Sequence, residues 1–248
     1  MTIAAINALR PDEVARRLSG SPEQAARFIG EAAAAGSAEA CATYGQLLLD
    51  GQGVARDPVA ALRWFGVAAA QGHLAAINMV GRCHDLGWGT PVDKVSAARW
   101  FKRAAERGLD WGMYNWGTAL ALGAGVPEDK AAALGWFERA AVLGNAKAVN
   151  FIGSFHEDGW VVPRNVGRAA EFYERAAAGG DFRGQFNHGR MLVAAGRVED
   201  ARLWFERALA GGTERFRGQA GEWLAEHVPD FSRHPRLRGH DDARRGAS

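Results

Sequence analysis

Two cysteines, Cys41 and Cys83, are all that the 248 residues contain. So few exclude a disulfide framework and point to a reducing compartment. No apolar run approaches the roughly 20 residues that a membrane span needs. Met1 to Pro11 has neither a basic start nor an apolar stretch, so it does not read as a signal peptide. A large excess of charge is missing too. The net charge is +2, too small to point to a nucleic-acid partner. Much of it resides at the end of the chain, where Arg233, Arg236, Arg238, Arg244 and Arg245 oppose only Asp241 and Asp242. Lysine is sparse against arginine, which reads as a coding bias with little functional content. A nucleophile elbow, a Gly-rich phosphate loop and a Cys/His metal spacing are all absent. These absences describe a soluble cytoplasmic protein with no catalytic residues, no cofactor and no metal.

Glycine is plentiful, at 32 residues, and it is periodic. Gly45, Gly81, Gly117, Gly153 and Gly189 are each 36 apart, and Gly36, Gly72, Gly108, Gly144 and Gly180 keep the same step. Asp57, Asp93, Asp129 and Asn165 form a third register. The aromatic pairs Trp64-Phe65, Trp100-Phe101, Trp136-Phe137 and Phe172-Tyr173 form a fourth. Four registers in phase at a period between about 20 and 50 residues mean stacked supersecondary units.

Each unit reads as two helices, A and B. Helix A carries its glycine in mid-helix, at a cost of about 1 kcal/mol against Ala. A cost repeated in every unit implies a return, namely close approach of the neighbouring helix. Asp57 is placed to cap helix B, with Pro58 at the first helical position. Ala61, Trp64, Phe65, Ala68 and Ala69 then give an apolar stripe at helical spacing. A lone hairpin cannot bury such a stripe, whereas stacked neighbours can. The expected organisation is an N-terminal cap segment at 1–20 and a helical array at 21–212. The array divides into a half repeat (21–36), four 36-residue repeats (37–180) and one short repeat (181–212). A C-terminal capping helix at 213–231 and a disordered basic tail at 232–248 follow.

The stretch Ala40-Cys41-Ala42-Thr43-Tyr44-Gly45 carries a family resemblance, as do the loops Gly51 to Val54 and Gly123 to Val126. So does the run Ala140-Ala141-Val142-Leu143-Gly144. The pattern resembles the Sel-one-like repeat family, a branch of the tetratricopeptide superfamily, over residues 22 to 212. The resemblance implies an all-α, right-handed α/α superhelical solenoid of helix-turn-helix repeats that serves as a scaffold for protein complexes. Some cysteine-rich relatives are linked to penicillin hydrolysis, but the cysteine pair in each repeat is missing here. Two departures stand out. The fourth unit reads Gly159-Trp160-Val161, without the second loop glycine, and the fifth unit is four residues shorter, like an ordinary tetratricopeptide repeat.

A longer period of 72 is also present. His84 and His156, Trp88 and Trp160, and Pro91 and Pro163 each repeat at that distance. The two histidines read as packed imidazoles. Stacking separates them by roughly 20 Å, at about 10 Å per helix layer, so they cannot share a metal. Trp88 and Trp160 fall at loop tips, where an exposed Trp would be a binding anchor.

The resemblance to tetratricopeptide repeats also implies a concave face lined by helix-A residues six and three before the glycine and one and four after it. These offsets share one helix face. The column names Asn78, Arg82, Trp111, Tyr114, Asn150, Arg183, Phe186 and Arg190 as partner-binding residues. The amides would bond the backbone of an extended peptide, the rings hold its apolar side chains and the arginines its acidic groups. On this reading the partner is a protein or extended peptide, and not a nucleic acid. Truncating Asn78, Tyr114 and Asn150 together should spare stability and weaken capture.

Overall fold

The computed structural model describes residues 4, 6 and 8–231. The expected basic tail therefore lies outside the described residues. Among those described are thirteen α-helices and no strand. They are α1 (Pro11–Leu18), α2 (Pro22–Ala34), α3 (Ala38–Asp50), α4 (Pro58–Ala70), α5 (Leu74–Leu86), α6 (Lys94–Glu106) and α7 (Asp110–Leu122), followed by α8 (Lys130–Val142), α9 (Ala146–Asp158), α10 (Val166–Ala178), α11 (Phe182–Ala194), α12 (Val198–Gly211) and α13 (Glu214–His227). The chain divides into two compact units, Met1–Ala140 and Ala141–Ser248.

The caps follow from the sequence registers. Asp57, Asp93 and Asp129 accept from the backbone N–H of Ala60, Ser96 and Ala132 at 2.9, 3.0 and 2.9 Å. Asn165 accepts from Arg168 at 2.9 Å. Each such bond satisfies a donor that the helix start leaves open. The B helices α4, α6, α8 and α10 accordingly start one residue after these caps. The capping box of Ser21 and Gln24 opens α2 in the same manner.

In the first unit, α3, α5 and α7 are the A helices. A Cβ built on Gly45, Gly81 or Gly117 would stand 2.8, 2.7 or 2.9 Å from the ring of Phe65, Phe101 or Phe137. The mid-helix glycine is therefore the seat of the B-helix aromatic of the same repeat, which is the close approach its repeated cost implied. Around these seats lies a core that includes Cys41, Leu48, Leu49, Phe65, Ile77, Val80 and Cys83. The loop glycines serve stacking between repeats. A Cβ on Gly53, Gly89 or Gly125 would meet the carbonyl oxygen of Pro22, Pro58 or Lys94 at 2.1, 2.2 or 2.1 Å. Each loop thus lies backbone to backbone on the first turn of the preceding B-type helix.

The second unit repeats the seat. Cβ atoms on Gly153 and Gly189 would meet Tyr173 and Phe205 at 2.6 and 2.5 Å. At the loop register it departs, since Val161 stands where the other loops have glycine and still takes a positive φ of 53°. The unit closes with α13, whose Leu224 is fully buried with Phe205 and Phe231.

Candidate protein-interaction face

The A helices carry the residues singled out from sequence, and stacking sorts them into three groups. The first lies in the seams between A helices. Asn78, on α5, is buried, and its Oδ1 accepts from Nδ2 of Asn115 on α7 at 2.8 Å. In the second unit Asn150, on α9, is buried, and its Oδ1 accepts from Asn187 on α11 at 2.9 Å. Phe186, on α11, is 8% exposed and sits among Phe205, Phe216 and Trp223, with ring centroids 5.4 to 5.6 Å away. The expectation that these three line an open face is corrected here. At Asn78, Asn150 and Phe186 the position three before the glycine points at the helix of the next layer, which covers it. Truncating Asn78 and Asn150 will therefore not spare stability, since each removal strands a half-buried amide donor.

The second group packs against neighbouring side chains, and only Arg190 is committed to an ion pair. Arg190, on α11, donates from Nη2 to Glu157 Oε1 at 2.9 Å and from Nη1 to Asn187 Oδ1 at 3.0 Å. Glu157 also accepts from the buried Tyr173 hydroxyl at 2.6 Å, and Tyr173 lies 3.2 Å from Ser154 Oγ. Burial, and then the bond to Glu157, push the Tyr173 phenol well above its ordinary value. Trp88 is half-buried against the core of the first unit, and the Arg82 guanidinium lies 4.9 Å from its ring centroid.

The third group is open to solvent. Trp111, at the start of α7, is 46% exposed and meets the half-buried Tyr114 edge-on, with centroids 6.1 Å apart. Arg183 is exposed, its guanidinium 4.8 Å from the Phe182 ring. Trp160 is 38% exposed at its loop tip and stands edge-on to the buried Phe155 at 5.5 Å. Asn115, Asn187 and Glu157 were not among the expected site residues. Their signal was available: Asn78 to Asn115 and Asn150 to Asn187 are both 37 residues, one repeat plus one.

Among the described residues no group of three or more His, Cys, Asp or Glu side chains stands ready to hold a metal, and no helix is long and apolar enough to cross a membrane. The buried Nδ1 atoms of His84 and His188 have no hydrogen-bond partner among the described residues. Burial holds the His188 imidazole below its ordinary pKa.

Stacked A/B pairs, glycine seats and capped B helices define an all-α solenoid of helix-turn-helix repeats. The chain belongs to the Sel1 repeat family, whose model matches residues 38–73, 74–109, 112–145 and 146–181. Among solved structures it is similar to a Sel1 repeat protein from Oxalobacter formigenes, with 27% identity, 96% of this chain and 99% of the other covered, and a TM-score of 0.76. It also shares its fold with a protective antigen of uropathogenic Escherichia coli strains, with 23% identity, 90% and 50% covered, and a TM-score of 0.67. An immunity protein from Pseudomonas aeruginosa has the fold too, at 18% identity, 83% and 85% covered, and a TM-score of 0.55. Among curated proteins no match is found.

Proposed function

We propose that the chain is a non-catalytic, cytoplasmic scaffold that binds a protein or extended peptide through the helix-A faces of its repeats. The observation that carries this reading is Trp111. A Trp nearly half exposed, braced edge-on by Tyr114 on a helix whose other face is packed, is a costly surface residue and a common interface anchor. The exposed guanidinium of Arg183 gives the second unit a comparable polar contact. Cys41 and Cys83 are both free and fully buried, which suits a reducing compartment.

The test is affinity capture from the native organism with the intact chain and with the Trp111→Ala, Arg183→Ala double variant. Arg183 is exposed, so its removal should change stability by no more than about 0.5 kcal/mol, and removal of Trp111, which loses the edge-on contact with Tyr114, by about 1 kcal/mol. The expected result is loss of the captured protein with a cooperative melting transition retained. Capture that survives both changes would place binding at the loop tips, with Trp160 the first residue to test.

A further inference from the structure

The helix-A reading leaves the chemistry of the partner open, and a recess in the first unit supplies it. The recess holds about 400 Å³ and is lined by Gln46, Leu49, Asp50, Arg56, Arg82 and Trp88. Arg82 is half-buried. Its only hydrogen bond among the described residues is from Nη1 to Met79 Sδ at 3.6 Å, a weak acceptor, and its guanidinium lies against Trp88. Neither nearby carboxylate pairs with a guanidinium of the recess among the described residues. Asp85 pairs with Lys94 at 2.7 Å, and Asp50 accepts from Gln46 at 2.7 Å. Arg56 donates from Nε to the Leu49 carbonyl at 3.0 Å, and its terminal nitrogens make no hydrogen bond among the described residues. Two guanidiniums thus share a recess with one carboxylate.

The second unit shows what sits at this register when the chain provides it. Arg190 follows Gly189 as Arg82 follows Gly81. Thirty-three residues before Arg190 is Glu157, and its carboxylate takes the guanidinium at 2.9 Å. Thirty-three residues before Arg82 is Leu49. The cation is retained in the first unit, and an apolar, buried residue replaces its anion.

We propose that this recess binds an acidic side chain of a peptide, its carboxylate on Arg82 and Arg56 and its apolar neighbour against the Trp88 ring. The proposal rests on the peptide-binding reading above. Charge-assisted guanidinium–carboxylate bonds are about twice as strong as neutral ones, and stacking on Trp88 already holds the Arg82 fork in place.

The test selects displayed random peptides on the intact chain, then titrates the synthesised winners. The expected winners contain Asp or Glu beside an apolar residue. Their affinity for the unaltered protein should fall at least tenfold when that acid becomes its amide, and fall similarly for Arg82→Gln. Salt should weaken binding of the acidic form only. Winners without an acidic preference, or winners indifferent to both changes, overturn this proposal and leave the peptide-binding reading standing. If no peptide is selected, this proposal falls, and the affinity capture above decides the scaffold reading.

Discussion

Two single positions show how local geometry and packing compete in this chain. At Gly81 an alanine would gain about 1 kcal/mol of helix propensity. Its Cβ would also stand 2.7 Å from the Phe101 ring, which has no room to retreat in the core. Overpacking of this kind costs about 1–3 kcal/mol, so Gly81→Ala should lower stability in urea denaturation despite the better helix former. Val161 presents the reverse case. A β-branched residue at φ 53° carries backbone strain of about 1–3 kcal/mol, and the side chain is exposed, with no packing to compensate. Val161→Gly relieves the strain and loses part of the gain to greater freedom of the unfolded chain. A net rise of about 1 kcal/mol is expected, read as a higher denaturation midpoint at unchanged slope.

At the scale of elements, one amide pair joins two A helices within each unit. Asn78 with Asn115, and Asn150 with Asn187, tie an even repeat to the odd one that follows. The same alternation appears at Gly112 and Gly184, where a Cβ would fall 2.6 and 2.5 Å from Ala104 and Ala176 of the preceding B helix. Asn150→Ala leaves the Asn187 amide without its acceptor, which should cost about 1–3 kcal/mol. The double variant with Asn187→Ala should cost clearly less than the sum of the two single changes, and a double-mutant cycle by denaturation measures the difference. Additive costs would mean that the amide pair contributes nothing across the seam.

Across the whole molecule, pH acts on stability from both sides. Burial lowers the His188 pKa below 6.5 in the folded state, so the unfolded chain takes up that proton first as pH falls. Its contribution is complete above about 6.5 and shrinks below. Burial pushes the Cys83 thiol from 9.0 up to about 11, and raises the Tyr173 phenol above 10.0. For an acid with a raised folded pKa, the unfolded chain loses its proton first as pH rises. That stability is complete below about 9 and lost progressively above it. The melting temperature should therefore peak between about pH 7 and 9, and Cys83→Ala should flatten the alkaline slope. An alkaline slope unchanged by that substitution would count against the buried thiol as its source.

The sequence alone determined the repeat, the number of helix pairs, the caps and the role of the mid-helix glycine. These features rest on bonds and contacts within one repeat, such as Asp57 to Ala60 or Gly45 to Phe65, and each recurs at the same offset. Spacing therefore displays them directly. Only the tertiary structure decided which helix-A residues remain open. Whether Asn78, Asn150 and Phe186 face solvent or a seam depends on the stagger of one A helix against the next, and that stagger pairs residues 33 or 37 apart rather than 36. A shift of one residue turns a side chain by about 100° around a helix. That rotation buries Asn150, pairs Arg190 with Glu157 and leaves Arg82 beside Leu49 with no ion pair among the described residues, because side-chain exposure is set by the neighbouring layer and not by the helix that carries the residue.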